Sequence, residues 1–375
     1  MDYAYTPGLT VAASTVVRKV RRLPLKGEVL VQVGQSVAAD DVVAQTNLPG
    51  EAKPIKVAGQ LGIAVEDLPA VMLKREGDVV AAGDVLARTK GLFGLFRSEC
   101  RAPIDGTVES VSAVTGVVML RGRPTPLQKR AYARGTIVAV EPEESATVEV
   151  RGTFIQGIFG IGGETHGPLT MAVDRPDQVL DADRLRPGHA GKVVVGGSLV
   201  TAAAVKRAIA LGVRGIVAGG LNDADLRDFL GYDVGVAITG EETLGITLII
   251  TEGFGSIQMA RATFDLLASR AGRDASINGA TQIRAGVIRP EILIPLEDAA
   301  LGTATPAAEE DSILRVGTPL RAIRDPYFGR LGRCVGLPAE LVRLPSETMV
   351  RVLEVEFDDG TRAILPRANV ELIKR

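Results

Sequence analysis

Cysteine and histidine are nearly missing from this sequence. Its 375 residues include two cysteines, Cys100 and Cys334, two histidines, His166 and His189, and no tryptophan. Two thiols cannot build a disulfide scaffold, nor a four-cysteine zinc or iron–sulfur site within the chain. Two imidazoles cannot build a three-histidine metal site. No apolar run approaches the roughly 18 residues of a spanning helix. Met1–Thr10 lacks the charged, apolar, small-residue order of a signal peptide. The expectation is a bacterial, cytoplasmic protein without a membrane span. Charge is balanced, 43 basic against 45 acidic residues for a net of −2, which argues against a wholly basic nucleic-acid coat. Gly-x-Ser-x-Gly, His-Glu-x-x-His and Cys-x-x-Cys are all missing, and no catalytic constellation emerges. His166, in Glu164-Thr165-His166-Gly167, is the better placed histidine for a chemical role because it adjoins a glycine-rich stretch.

What is present is apolar residue, glycine and a repeat. At 46% hydrophobic the chain can bury cores, and its length predicts two to four domains. Glycine (43) and proline (20) punctuate short Val/Ile runs in the first half, a β-rich pattern. Residues 34–44, GQSVAADDVVA, match residues 77–87, GDVVAAGDVLA, at seven of eleven positions without a gap. Each copy follows an expected short strand, Val29–Val33 or Val71–Lys74. Two copies are too few for a solenoid and predict two halves of one sandwich.

Gly77-Asp78-x-Val80-x-x-Gly83-Asp84-x-Leu86-Ala87, followed by Ala102-Pro103-x-x-Gly106-x-Val108, resembles the barrel-sandwich hybrid of lipoyl and biotinyl domains. The longer order from Leu23-Pro24-Leu25-Lys26-Gly27 to Val118 resembles the amino-terminal region of RnfC- and NqrA-type respiratory subunits. A carrier domain presents its lysine on a tight hairpin about six residues past the Leu-Ala pair. Phe93 stands there, in Lys90-Gly91-Leu92-Phe93-Gly94-Leu95-Phe96, so the module reads as a non-carrier. Two basic stretches, Arg18–Lys26 and Arg121–Arg134, read either as solvated loops or as a shared patch for phosphate or an acidic partner.

Residues 157–165, Gly-Ile-Phe-Gly-Ile-Gly-Gly-Glu-Thr, are similar to the glycine-rich flavin or nucleotide motif of RnfC-like proteins. The resemblance implies a phosphate cradle at Gly160, Gly162 and Gly163. That family's proline–helix continuation and cysteine-bearing segment are missing here, and a glycine-rich β-hairpin is the other reading. From Gly191 onward the period alternates between strand and helix: Lys192–Val195, Val200–Leu211, Gly215–Ala218, Ile246–Thr251 and Ile257–Ala268 predict a parallel βαβ core. Gly196-Gly197-Ser198 and Gly253-Phe254-Gly255-Ser256 lie at strand-to-helix turns. They read as anion sites for a flavin or nucleotide, or as plain turns.

Residues 297–311 are acidic and Ala/Thr/Pro-rich, a linker composition. Beyond them, short strands at Thr318–Ile323, Arg333–Val335, Val350–Phe357 and Arg362–Leu365 are expected, with Asp358-Asp359-Gly360 as a hairpin turn. Residues 324–335 resemble a KOW motif, which implies a small SH3-like barrel of the NusG type and an RNA or protein partner. Eleven basic and eight acidic residues in 312–375 give +3. Arg321, Arg324, Arg330 and Arg333 around Tyr327 and Phe328 suit RNA backbone contact and base stacking.

The expected architecture is multidomain, β plus α/β. It comprises a barrel-sandwich hybrid over 1–145, a glycine-rich hairpin with an α/β module of parallel strands over 146–296, a linker over 297–311, and an SH3-like barrel over 312–375. The functional expectation is a non-catalytic binding or scaffold protein whose last barrel contacts RNA or a protein. The alternative is a flavin- or nucleotide-binding subunit of a redox or metabolic complex.

Overall fold

The computed structural model describes residues 9–89, 97–222, 224–225, 245–281, 288–297, 314–322, 326–327, 330–338, 340–343 and 349–372. The loop around Phe93 and Phe96, the linker from 298 onward, Arg324 and Phe328 lie outside them. The fold is mostly β, with one large mixed sheet and a half-barrel in the carboxy-terminal region.

The two repeats fold alike, bond for bond. In the first, the Gly34 N–H donates to Ile137 O (2.7 Å), the Ile137 N–H returns to Gln35 O (2.9 Å), and Asp41 Oδ2 accepts from the Ala38 N–H (2.8 Å). In the second, the Gly77 N–H donates to Val108 O (2.8 Å), the Val108 N–H returns to Asp78 O (2.9 Å), and Asp84 Oδ2 accepts from the Ala81 N–H (3.1 Å). Gly34 and Gly77 have φ of +88° and +90°, which explains why glycine stands there. The shared aspartates close the following turn. Strand Ser36–Val37 pairs with Gly135–Thr136, and Val79–Val80 with Gly106–Thr107. Gly135-Thr136-Ile137 is therefore the counterpart of Gly106-Thr107-Val108. The strands leading into the repeats are shorter than expected. Only Glu28–Val29 forms in the first, and in the second Leu68–Val71 is helical with Met72 bridging Ala87.

A third copy of the turn occurs far away. The Gly317 N–H (φ +89°) donates to Cys334 O (2.7 Å), and the Cys334 N–H returns to Thr318 O (2.9 Å). Thr318 Oγ1 accepts from the Arg315 N–H, as Gln35 Oε1 does from Gln32 and Asp78 Oδ2 from Arg75.

The expected parallel core is present. Strands Glu164–Met171, Val193–Val195, Gly215–Leu221 and Thr247–Phe254 are parallel neighbours in that order. Helix Ala202–Leu211 starts at Thr201, whose hydroxyl accepts from the Ala204 N–H, and stops at left-handed Gly212. It packs with Val194, Ile216, Ala218, Leu248 and Ile250 on one face of the sheet. Helix Arg261–Ser269 packs Phe264 and Leu267 among Val193, Val195, Val217 and Ile249 on the other. The strict alternation along each strand sets the two faces.

Glycines 157–163 are not a hairpin. Strand Ser145–Gln156 pairs with Glu291–Pro295, and three residues later Phe159–Ile161 pairs with Thr247–Phe254. The chain thus joins both ends of the run of strands, and the sheet curls back on itself. A Cβ on Gly157 would lie 2.7 Å from Ile249 Cγ2, and one on Gly160 would lie 2.7 Å from Gly279 O and Pro290 Cβ. Close packing at this seam demands glycine. Ser145–Gln156 also pairs with Val11–Arg22 and Gly135–Glu141, so one strand carries the sheet across the expected boundary at 145.

The carboxy-terminal strands form a six-stranded antiparallel sheet around Leu320, Cys334, Leu353, Val355 and Phe357. Its turn at 358–360 is as expected, with Gly360 at φ +81°. Strands Leu341–Arg343 and Val370–Leu372 were not foreseen.

Candidate functional site

Titratable groups converge at the junction between the repeat module and the curled sheet. His166 lies on strand Glu164–Met171 beside the antiparallel strand Asp274–Asn278. Its Nδ1 is 3.1 Å from Asp274 Oδ2, and its Nε2 is 3.0 Å from Asp40 Oδ2 at the tip of the first repeat. A neutral imidazole has one N–H, so the ring satisfies both carboxylates only as a double donor. The His166 hydrogen bond, seconded by Arg130 at 3.0 Å, holds the Asp40 carboxyl below the usual carboxylate range. Asp40, His166 and Asp274 line an open cleft of about 480 Å³ with Arg134, Arg273 and Glu297. Aspartate and histidine meet through different ring nitrogens and form no chelate, and no metal-binding cluster occurs among the described residues.

Behind the cleft, Arg21 grips Glu164 with both Nη atoms (2.8 and 2.6 Å), and Lys19 pairs with Glu291 at 2.5 Å. Both cations flank the ring of Tyr132, at 5.6 and 5.9 Å. Tyr132 is buried in a left-handed backbone conformation, φ +78°. Burial first, and then Glu291 and Glu164, push its phenol well above the ordinary range. The two basic stretches are thus largely spent on ion pairs. Arg18, Arg22, Lys26, Arg121 and Arg123 each meet a glutamate or aspartate within 3.2 Å.

The glycine turns are closed by their own backbone. The Gly196 N–H donates to Val217 O, Ser198 to Gln178 O, Gly219 to Gly197 O, Gly255 to Leu221 O and Ile257 to Ser198 O, all within 3.0 Å. A Cβ on Gly197 would lie 2.3 Å from Gln178 O, and one on Gly220 1.9 Å from Gly255 O. The N–H groups of Gly196, Ser198 and Gly255 are therefore spent within the chain and are not free for an anion. These turns cross one another, and close contact between backbones leaves room only for hydrogen. Neither turn opens a helix directly, since the helices begin at Ala202 and Arg261. Gly160, Gly162 and Gly163 sit in the seam. There the Gly160 N–H donates to Thr281 Oγ1, and Gly163 O accepts from Thr247 Oγ1.

Arg321 is also corrected. It is not a surface contact but is 2% exposed, bonded to Glu252 Oε2 (2.8 Å) and Glu371 Oε1 (3.1 Å). Glu371 in turn holds Arg289 at 2.5 Å, and Glu252 Oε1 accepts from the Ala260 N–H. Glu252 closes the carboxyl end of a parallel strand, so these buried charges fasten the half-barrel to the sheet. Burial raises the Glu371 carboxyl against the pull of Arg321 and Arg289. Tyr327 is half-buried and stacked on Phe357 (5.1 Å), with Arg330 over both rings and paired to Asp359. Its ring belongs to its own barrel. Arg333 and Arg362 stay exposed and share one carboxylate, Glu356.

No family model and no curated protein matches this chain.

Sequence reading singled out His166, and Glu252 as a ligand contact or helix cap, but missed Asp40, Asp274 and Glu371. Asp40 carried one signal: its counterpart in the second repeat is Gly83, at φ +93°. The first repeat departs from glycine where its turn meets another module.

Proposed function

We propose that this chain is a non-catalytic, multidomain binding and scaffold protein. Its modules are fixed against one another, and the half-barrel presents a basic face to an acidic protein partner. The observation that carries this reading is where the charges go. Asp40–His166–Asp274 ties the first repeat to the sheet and Glu252–Arg321–Glu371 ties the half-barrel to it, while Lys19–Glu291 and Arg21–Glu164 lock strands of the sheet that lie far apart in sequence. Such groups hold a frame together and are not arranged around a reacting atom. On the half-barrel, Arg333 and Arg362 are 65% and 72% exposed and both pair with Glu356, while the charge of Asp358 also acts on Arg333; the segment 312–375 as a whole carries +3.

The likeness of residues 324–335 to KOW barrels, which hold RNA or protein, and of the repeat module to respiratory-complex subunits, supports a role inside an assembly. The stacked Tyr327–Phe357 pair favours protein over RNA, because base stacking needs a free ring face. The test is titration of the full chain with a fluorescent poly-glutamate peptide and with mixed-sequence RNA at low and high salt. Salt-sensitive peptide binding that R333E/R362E abolishes is expected. Binding that ignores this variant overturns the reading, and RNA bound more tightly than peptide replaces it with the nucleic-acid version.

A further inference from the structure

A second cleft, of about 560 Å³, lies on the repeat module away from the junction. Strand Ala52–Ile55, the short helical turn Val57–Leu61 and strand Glu99–Arg101 form it. Its charged lining residues are Lys53, Lys56 and Arg101, and no acidic residue lines it. The junction cleft, by contrast, is lined by Asp40, Asp274 and Glu297.

The polar groups here are donors. Lys53 and Lys56 are exposed and have no carboxylate partner among the described residues. Arg101 pairs with Glu99 and donates to Gly83 O, but Glu99 also carries Arg88 at 2.8 Å, so one guanidinium charge is left over. Gln60 adds an oriented amide. Its Oε1 accepts from the thiol of Cys100, 1% exposed and 2.9 Å away, and this leaves the amide N–H groups as donors. Burial keeps the Cys100 thiol protonated by raising it above its ordinary range, so the donor role is stable. Pro54 and Pro103 add apolar wall without an N–H.

The geometry points to a binding site for a small phosphoryl compound, its dianionic group held between Lys53 and Lys56 and flanked by Gln60 and Arg101. Lysine is a compact point charge suited to a phosphoryl group. The proline walls fit the organic part of a phosphorylated metabolite. This site is separate from the half-barrel face and does not depend on its role.

The experiment is calorimetric titration of the full chain with inorganic pyrophosphate and, separately, with ADP, in low-salt buffer. Binding should weaken at least about tenfold in K53Q/K56Q. It should be unchanged in K206Q, which removes an exposed lysine on helix Ala202–Leu211. All the altered side chains are exposed, so circular dichroism and melting should match the parent. ADP bound more tightly than pyrophosphate identifies an organic phosphate as the occupant, and equal affinity identifies the free anion. No heat from either ligand at millimolar concentration, or equal weakening in K53Q/K56Q and K206Q, overturns the site.

Discussion

Replacing Arg321 with methionine tests how the half-barrel is fastened. The guanidinium is 3% exposed and makes two charge-assisted bonds, to Glu252 at 2.8 Å and Glu371 at 3.1 Å. Breaking a buried ion pair by removing one partner costs about 3–5 kcal/mol, because the other charge stays buried without compensation. Here each carboxylate keeps one donor, Glu252 the Ala260 N–H and Glu371 the Arg289 guanidinium. The low end applies, about 3 kcal/mol, or roughly a hundredfold in an opening equilibrium. The readout is amide hydrogen exchange, which resolves local opening. Amides of Leu320–Ala322 and Val370–Leu372, on the strands that carry Arg321 and Glu371, should exchange about a hundredfold faster, with Val42–Leu48 in the repeat module unchanged. Adding E252Q should restore part of the protection, since Glu252 is the carboxylate that R321M leaves without a cation, whereas Glu371 keeps Arg289. Unchanged exchange at 320–322, or an equal loss at 42–48, would refute the reasoning.

Gly160→Ala should lower the urea midpoint by the equivalent of about 1–3 kcal/mol, because its Cβ would sit 2.7 Å from Gly279 O and Pro290 Cβ. An unchanged midpoint would mean that the seam is looser than described. Gly34→Ala and Gly77→Ala should each cost about 1–2 kcal/mol from backbone strain alone, since nothing lies within 4 Å of either Cβ. Unequal costs in denaturant melts would break the equivalence of the two turns. Asp40 has a folded pKa held below its unfolded value, so its contribution is complete above about pH 4 and is lost as pH falls through the folded value. Thermal melts should therefore show the parent losing more stability than D40N below that pH, and parallel curves would contradict the Asp40–His166 bond.

The repeat module and the parallel core were legible in the sequence because their signals are local. A turn with φ near +90° needs glycine, and an aspartate three residues past the Ala-Ala pair's start closes the next turn, so the two copies announced each other. The same reasoning fits the alternating Val/Ile strands and the Thr201–Gly212 helix caps. Glycine elsewhere was ambiguous in principle. A missing side chain serves equally to cradle a ligand or to let two backbones touch, and only the folded chain places Gly255 O where a Cβ on Gly220 would stand. Arginine was ambiguous for the same kind of reason. Arg321 and Arg333 are both alternate residues of short β-strands, yet one is buried on Glu252, 69 residues back, and the other faces water. His166 meets Asp40 across 126 residues and Asp274 across 108. Local composition determined which turns and strands could form. The curl of the sheet, which brings distant segments into contact, decided which charges pair, which glycines close a seam and which cations remain free.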